Sequence, residues 1–335
     1  MALIRPRTCR LTFAAPFSLK NMTRSAAKGT VTCGLAQDEH DERKLVSPRW
    51  LRDRLEEVSV IDIRGQVKKL DRIYDADGVK YYQQVEPRGL KDEYLFSHIP
   101  GSVFVDWTSD IVDKSSGGLF NLIDVDGFRQ CMEERGVSCD KTVVIYDNGD
   151  MLYAARLWFA MVLYGHPDVR LLNGGFSLWE EQGLPTSDDS RCMLTLLSEF
   201  NPDRTYSSML MSMSDILSKK SEANLIDARS KVQYDGIQRR ATRGGHIPGA
   251  ISLDRRRLLN EDGSGFLPPS ELRQVFEDVG VRANDRPTIA YCNGGVASTL
   301  VLFALHLLDV PLDKLFNYDG SWNEYGSHAS NPPLG

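Results

Sequence analysis

The chain has 335 residues, 41% of them hydrophobic and 26% charged, with a formal net charge of −6. That length and apolar content suffice for two ordinary domains, each with its own core, and exclude a disordered or fibrous chain. The longest apolar stretch, Ala297 to Leu308, contains Ser298, Thr299 and His306; it falls short of the roughly 18 to 20 residues that span a bilayer, so no transmembrane helix is expected.

The first 37 residues stand apart. They carry Arg5, Arg7, Arg10, Lys20, Arg24 and Lys28, are rich in Ser, Thr and Ala, and hold no acidic residue before Asp38. This is the composition of an organelle transit peptide, so residues 1–42 are expected to form a cleavable, flexible leader for import into a mitochondrion or chloroplast. A cytoplasmic protein with a basic tail is the fallback. Without those six charges the net charge would move from −6 to −12, which gives no general attraction for nucleic acid or an anionic membrane.

Beyond the leader the chain repeats itself. The first half, 43–185, reads Val60-Ile-Asp62-Ile-Arg64, His98-Ile-Pro100-Gly101, Val143-Val-Ile-Tyr146-Asp147-Asn148-Gly149 and Asn173-Gly-Gly175-Phe-Ser-Leu-Trp179. Residues 186–210, with Asp188-Asp189-Ser190 and Asn201-Pro202-Asp203, keep no sustained period and read as a linker crossing the outside. The second half, 211–330, reads Leu225-Ile-Asp227-Ala-Arg229, His246-Ile-Pro248-Gly249, Thr288-Ile-Ala-Tyr291-Cys292-Asn293-Gly294 and Asp319-Gly-Ser-Trp322-Asn-Glu-Tyr325. Four landmarks in one order imply duplication of a domain. In the second half, strands are expected at 224–228, 250–253, 288–291 and 314–317, and helices at 214–219, 270–279 and 297–308. Such alternation specifies an α/β fold: two domains, each a mostly parallel sheet with helices on both faces.

Ligands in such sheets gather beyond the carboxyl ends of the strands. Cys292 stands there, at the end of an apolar run and before a glycine-bearing loop and a buried helix. Gly294 and Gly295 can adopt positive φ, so the N–H groups of Asn293, Gly294, Gly295, Val296, Ala297 and Ser298 can turn inward, with the positive helix end, toward the sulfur. That environment favours a nucleophilic, anionic sulfur, and Cys292 is the candidate nucleophile. Ser298 is expected to cap the helix or donate to the loop. Cys9 and Cys33 fall in the leader, while Cys131, Cys139 and Cys192 read as small buried thiols. With no C-x-x-C pair and no zinc-ligand spacing, neither a metal nor a cofactor is expected, and free thiols suit a reducing compartment.

Taken together, the doubled Asp-x-Arg, His-Ile-Pro-Gly, cysteine-loop and Gly-x-x-x-x-aromatic motifs resemble the tandem-domain rhodanese family of thiosulfate and 3-mercaptopyruvate sulfurtransferases. The resemblance covers nearly all of 43–330. It implies that only the second half is catalytic, in keeping with Asp147 at the first half's cysteine position; Asp147 is expected to be a capping or surface residue. It further implies a double displacement, in which Cys292 takes sulfur from a small donor as a persulfide and passes it to a thiol, cyanide or thioredoxin-like acceptor.

The pattern departs from the family in three places. The residues after Cys292 are the neutral Asn293 and Gly294, unlike the basic pair of thiosulfate-type members and closer to the mercaptopyruvate loop. Asn293 and Ala297 nevertheless replace a glycine and a threonine of that loop. One of the two arginines that grip the mercaptopyruvate carboxylate is replaced by Gln233, and Arg239 or Arg240 stands for the other. The first half lacks the family's cleft Asp and His, its chain running Val105-Asp106-Trp107-Thr108.

Arg239-Arg240, Arg243 and Arg255-Arg256-Arg257 flank the second His-Ile-Pro-Gly. They read either as a positive field that steers an anionic donor, with Arg239 and Arg240 foremost, or as solvated loop charges. His98 and His246 occur in both halves and are expected to orient a turn. Asp62 with Arg64, and Asp227 with Arg229, read as internal ion pairs, while Trp179, Trp322 and Tyr325 read as packing at the sheet edge. A phosphatase would need an arginine six residues after the cysteine, where Ser298 stands. A non-catalytic rhodanese module for docking or redox sensing is the remaining alternative. A monomer is the default expectation.

Overall fold

The computed structural model describes residues 39–335 apart from 70–71, 75–79, 83–84, 118, 190–197, 203–204 and 220–221. Residues 1–38 of the expected leader therefore lie outside the described residues, as does Cys192. Asp41 already forms the turn into the fold, its carbonyl accepting from the Lys44 and Leu45 N–H groups at 2.8 and 3.0 Å.

The first half begins with β1 (Leu45–Val46), α1 (Pro48–Arg52) and β2 (Ser59–Asp62). An arm of β3 (Gly65–Lys69), β4 (Arg72–Tyr74), β5 (Lys80–Tyr82) and β6 (Val85–Gly89) leads to α2 (Lys91–Phe96) and β7 (Val103–Phe104). Then come α3 (Val125–Glu133), β8 (Val143–Tyr146), α4 (Leu152–Leu163), β9 (Val169–Leu172) and α5 (Gly175–Glu181). Five strands form a parallel sheet in the order β1-β9-β8-β2-β7. Its central strand β8 is buried at every position, which explains an unbroken apolar run where a half-solvated strand would alternate.

The second half contains β10 (Leu210–Met211), α6 (Met213–Lys219), β11 (Asn224–Asp227), α7 (Lys231–Tyr234), β12 (Gln238–Arg239) and β13 (Ile251–Ser252). They are followed by α8 (Pro269–Asp278), β14 (Thr288–Tyr291), α9 (Ala297–Leu307), β15 (Leu315–Tyr318) and α10 (Ser321–Tyr325). The parallel sheet runs β10-β15-β14-β11-β13, the first half's order slot for slot. Even register is repeated, with Asp62 opposite Tyr146 and Asp227 opposite Tyr291. The strand expected over 250–253 shortens to two residues because it pairs only with the last two of β11.

Duplication extends to side chains. Arg64 Nε bonds Asp62 at 2.8 Å and its Nη2 donates to the Ser97 carbonyl; Arg229 bonds Asp227 at 2.6 Å and donates to the Gly245 carbonyl. Both pairs are buried. The rings of His98 and His246 stack on Tyr94 and Tyr234 at 4.2 and 3.6 Å, with each Nδ1 on the carbonyl of its own tyrosine. Each histidine thus orients the turn ahead of a strand.

The halves share one core. Helices α4 and α9 pack together, with Trp158 edge-on to Phe303 at a centroid distance of 4.9 Å. Each is covered by its own sheet on one side and by the other half on the opposite side, so neither carries a polar face. The arm adds a second tie, β5 pairing in parallel with β12.

Two expectations are corrected. The stretch 186–210 does not simply cross the outside, because Phe200 and Met209 are buried in the shared core. Trp179, Trp322 and Tyr325 lie fully buried in the cores of their respective halves, not at a sheet edge. Apolar side chains on these helices cover the sheet face, where more area is removed from water.

Candidate active site

Strand β14 is buried throughout and delivers Cys292 to its carboxyl end. The cysteine is 3% exposed and lines the floor of a cleft of about 660 Å³ between the halves. Helix α10 pins the main chain around it. The Trp322 and Asn323 N–H groups donate to the Cys292 and Asn293 carbonyls at 3.0 and 2.8 Å. Ser321 Oγ accepts from the N–H groups of both Cys292 (3.1 Å) and Gly295 (2.9 Å) while donating to the Tyr318 carbonyl.

The loop departs from expectation at its glycines. Gly295 has the positive φ, 73°, but its N–H is taken by Ser321 and does not face the sulfur. Gly294 has no positive φ. Among the described residues no protein acceptor meets the N–H groups of Gly294, Val296 and Ser298. Ser298 caps nothing, since α9 begins without a side-chain cap. Its Oγ sits 3.8 Å from Cys292 Sγ and donates to Asn317 Oδ1 at 2.6 Å. Asn317 is oriented by its own amide, which donates to the Gly295 carbonyl and to Asp319 Oδ1, both at 3.1 Å. The Ser298 hydroxyl can donate to Asn317 or to the sulfur, the contact with Asn317 being the shorter.

The first half shows what such a loop holds. At the matching position Asp147 is wholly buried, and four main-chain N–H groups surround its carboxylate. Gly149 and Met151 donate to Oδ1 at 2.9 and 3.2 Å, and Tyr153 and Ala154 donate to Oδ2 at 3.0 and 3.2 Å. Asp147 is therefore a capping residue, and not a surface one. Burial, then the Asp150 carboxylate, pushes its pKa up to about 7 against the pull of the amides. Counted from the strand end, Gly149, Met151 and Tyr153 correspond to Gly294, Val296 and Ser298.

Opposite the sulfur, the first half builds an aromatic wall. Trp107 packs on Phe120 and Tyr153 at centroid distances of 5.2 and 4.6 Å, and all three line the cleft. Burial, then Asp150, raises the Tyr153 pKa, so its hydroxyl stays protonated. Such a wall gives the cleft an apolar side facing Cys292.

Both halves match one family description, the rhodanese-like domain, over residues 47–182 and 212–328. The chain belongs to the tandem rhodanese sulfurtransferase family. It is 34% identical to the 3-mercaptopyruvate sulfurtransferase of Escherichia coli over 254 residues, 74% of this chain and 86% of that protein. It is 35% identical over 248 residues to a Mycobacterium tuberculosis protein named "Putative thiosulfate sulfurtransferase", covering 71% of this chain and 86% of the relative. Among solved structures, the rhodanese fold of SseA from Escherichia coli superposes with a TM-score of 0.67 at 30% identity, over 84% of this chain and 99% of that one. This protein is accordingly a sulfurtransferase.

The arginines near this rhodanese cleft divide into groups. Arg240 lines the cleft and Arg239 does not; the main chain of Arg239 belongs to the β12–β5 pairing. Gln233 lines it and accepts from Asn293 Nδ2 at 3.2 Å. Arg255 and Arg256 also reach it, the first 3.6 Å from Asp150 and the second bonded to Asp254. Arg257 faces Asp278 on the surface, and Arg243 ties the C-terminal tail through the Tyr325 and Pro332 carbonyls. These two are structural or solvated. Cys131 is buried beside Arg135, and burial pushes its thiol up to about 11, which makes it inert.

Four residues around the loop escape a sequence reading: Ser321, Asn317, Asp319 and Arg156. Asp319 and Ser321 stand in a repeated landmark without a role attached, and Arg156 is signalled only as a charge in the otherwise apolar run 152–163.

Proposed function

We propose that this sulfurtransferase carries sulfane sulfur on Cys292, taking it from 3-mercaptopyruvate in preference to thiosulfate and passing it to a thiol or cyanide. The Cys292 thiolate attacks the donor sulfur. With 3-mercaptopyruvate the carbon–sulfur bond breaks, its electron pair stays on carbon, and protonation yields pyruvate; with thiosulfate the sulfur–sulfur bond breaks and sulfite leaves with the pair. A nucleophilic acceptor then attacks the outer persulfide sulfur, and the bonding pair returns to Cys292.

The single observation behind this reading is the pair of matching loops. One surrounds the Asp147 carboxyl group with main-chain N–H donors, and the other sets a cysteine at the same place after its strand, at the floor of an open cleft, with loop N–H groups that meet no protein acceptor among the described residues. Donors aimed at a developing negative charge stabilise it without metal or lysine. The neutral Asn293 and Gly294 directly after the cysteine support the mercaptopyruvate preference, since these two positions of the loop offer no cation to a dianionic donor. Arg240 at the mouth serves the single carboxylate of a keto acid, with Gln233 beside it.

Intact mass after incubation with each donor tests the proposal. One added sulfur atom, lost in Cys292→Ser, is the expected result; an unchanged mass with every donor would leave a docking or redox-sensing module instead. A thiosulfate kcat/KM well above that for mercaptopyruvate would overturn the preference. We further propose that residues 1–37 direct organelle import, which a fluorescent fusion remaining in the cytoplasm would refute.

A further inference from the structure

The half without the cysteine reaches into the cysteine loop with a buried guanidinium. Arg156, on α4, is 2% exposed. Its Nη1 donates to the Gly295 carbonyl at 3.0 Å and to Asp319 Oδ1 at 2.6 Å, and its Nη2 donates to the Phe120 carbonyl at 2.6 Å. Asp319 completes the cluster, its Oδ2 accepting from the Leu122 N–H at 2.8 Å. One guanidinium therefore joins the sulfur loop, the aromatic wall and the turn ahead of α10.

A trans peptide points its C=O and the following N–H in opposite directions. Arg156 and Asn317 both draw the Gly295 carbonyl into the protein interior, which turns the Val296 N–H outward. Val296 lines the cleft with Cys292, and Gly295 does not. In the first half the N–H at this offset, that of Met151, reaches the Asp147 carboxylate at 3.2 Å, from a left-handed backbone (φ 58°) where Val296 has φ −84°.

We propose that Arg156 is a positioning residue for sulfur transfer: by holding the Gly295 carbonyl inward it aims the Val296 N–H at the Cys292 sulfur. It touches neither donor nor sulfur and acts through the Gly295–Val296 peptide. The half lacking a nucleophile thus contributes to the chemistry of the other. The inference rests on the persulfide reading above.

Removing Arg156 alone strands the Asp319 charge in a buried site, so the informative variant is Arg156→Met with Asp319→Asn. Arg156→Lys is its companion, since one ammonium cannot reach the Gly295, Asp319 and Phe120 oxygens in the same geometry. Three readouts are taken on the full chain: the urea midpoint, the rate of Cys292 alkylation by iodoacetamide at neutral pH, and single-turnover sulfur loading across donor concentrations. For the double variant, alkylation and the maximal loading rate are expected to fall on the order of tenfold or more, with the donor concentration at half-maximal rate nearly unchanged. The lysine variant should fall between the double variant and the wild type. If the double variant does not fold, the lysine variant decides by the same readouts. Wild-type alkylation and loading rates in folded variants would overturn the proposal, whatever the stability change. Alkylation needs no sulfur donor, so a wild-type protein that never gains sulfur would defeat the persulfide reading without deciding the positioning role.

Discussion

Replacing Gly295 by alanine separates two costs that usually come mixed. At φ 73° an L side chain is strained, by about 1–2 kcal/mol. In addition, a Cβ there would lie 2.4 Å from Asp319 Oδ1 and 2.7 Å from the Asp319 carbonyl oxygen. Asp319 cannot yield easily, because Arg156, Asn317 and the Leu122 N–H all hold its carboxylate. Overpacking of this kind adds about 1–3 kcal/mol, so Gly295→Ala should cost about 2–5 kcal/mol in total. Gly249 provides the control: its φ is 82°, and an added Cβ would meet nothing within 4 Å. Gly249→Ala should therefore cost only the conformational part, about 1–2 kcal/mol. Urea unfolding at constant m-value measures both, and sulfur loading by mass should be lost or greatly slowed in the Gly295 variant alone. Equal destabilisation of the two variants, or normal loading by Gly295→Ala, would refute the claim that contact with Asp319 sets the loop.

Other expectations concern the ionisable groups. Burial, then the Lys44 charge, lowers the His306 pKa from 6.5 to about 4, so the folded state holds this ring neutral. Its contribution is present above pH 6.5 and is lost as pH falls toward 4; the wild type should lose about 2 kcal/mol more than His306→Gln between pH 8 and pH 5 in urea titrations. Asp227→Ala leaves Arg229 buried without its partner and should destabilise by about 3–5 kcal/mol, whereas loss of an exposed pair such as Arg257–Asp278 should cost about 0–1 kcal/mol; similar thermal shifts for the two would contradict the burial argument. Arg240→Ala should raise KM for an anionic donor more than it lowers kcat, and Arg239→Ala should leave KM near wild type. Steady-state kinetics of the two single variants would expose the reverse assignment.

Much of the fold was legible because its signals are local or repeated. Unbroken apolar runs mark strands covered on both faces, and the strand expected over 288–291 is the one observed. The doubled Asp-x-Arg and His-Ile-Pro-Gly motifs mark pairings that recur in both halves. Helix ends and short edge strands shifted by a residue or two, because the hydrogen-bond ladder and not composition ends them. Phe200 and Met209 were hidden by the irregular sequence around them, since burial of isolated residues leaves no period to detect.

The chemistry divides in the same way. Residue types and their order were enough to determine that two copies of one domain lie in tandem, that the second keeps a cysteine after its central strand, and that a carboxylate replaces it in the first. Each of these depends only on the residues that follow a strand end. How the loop after Cys292 is held depends on Arg156, Asn317 and Ser321, which lie from 19 to 139 residues from the loop groups they bind, and on Asp319, which bonds Arg156 and Asn317. Their roles arise only when α4 packs on α9 and brings the two halves together, because a hydrogen bond is set by distance and direction in space and leaves no spacing along the chain.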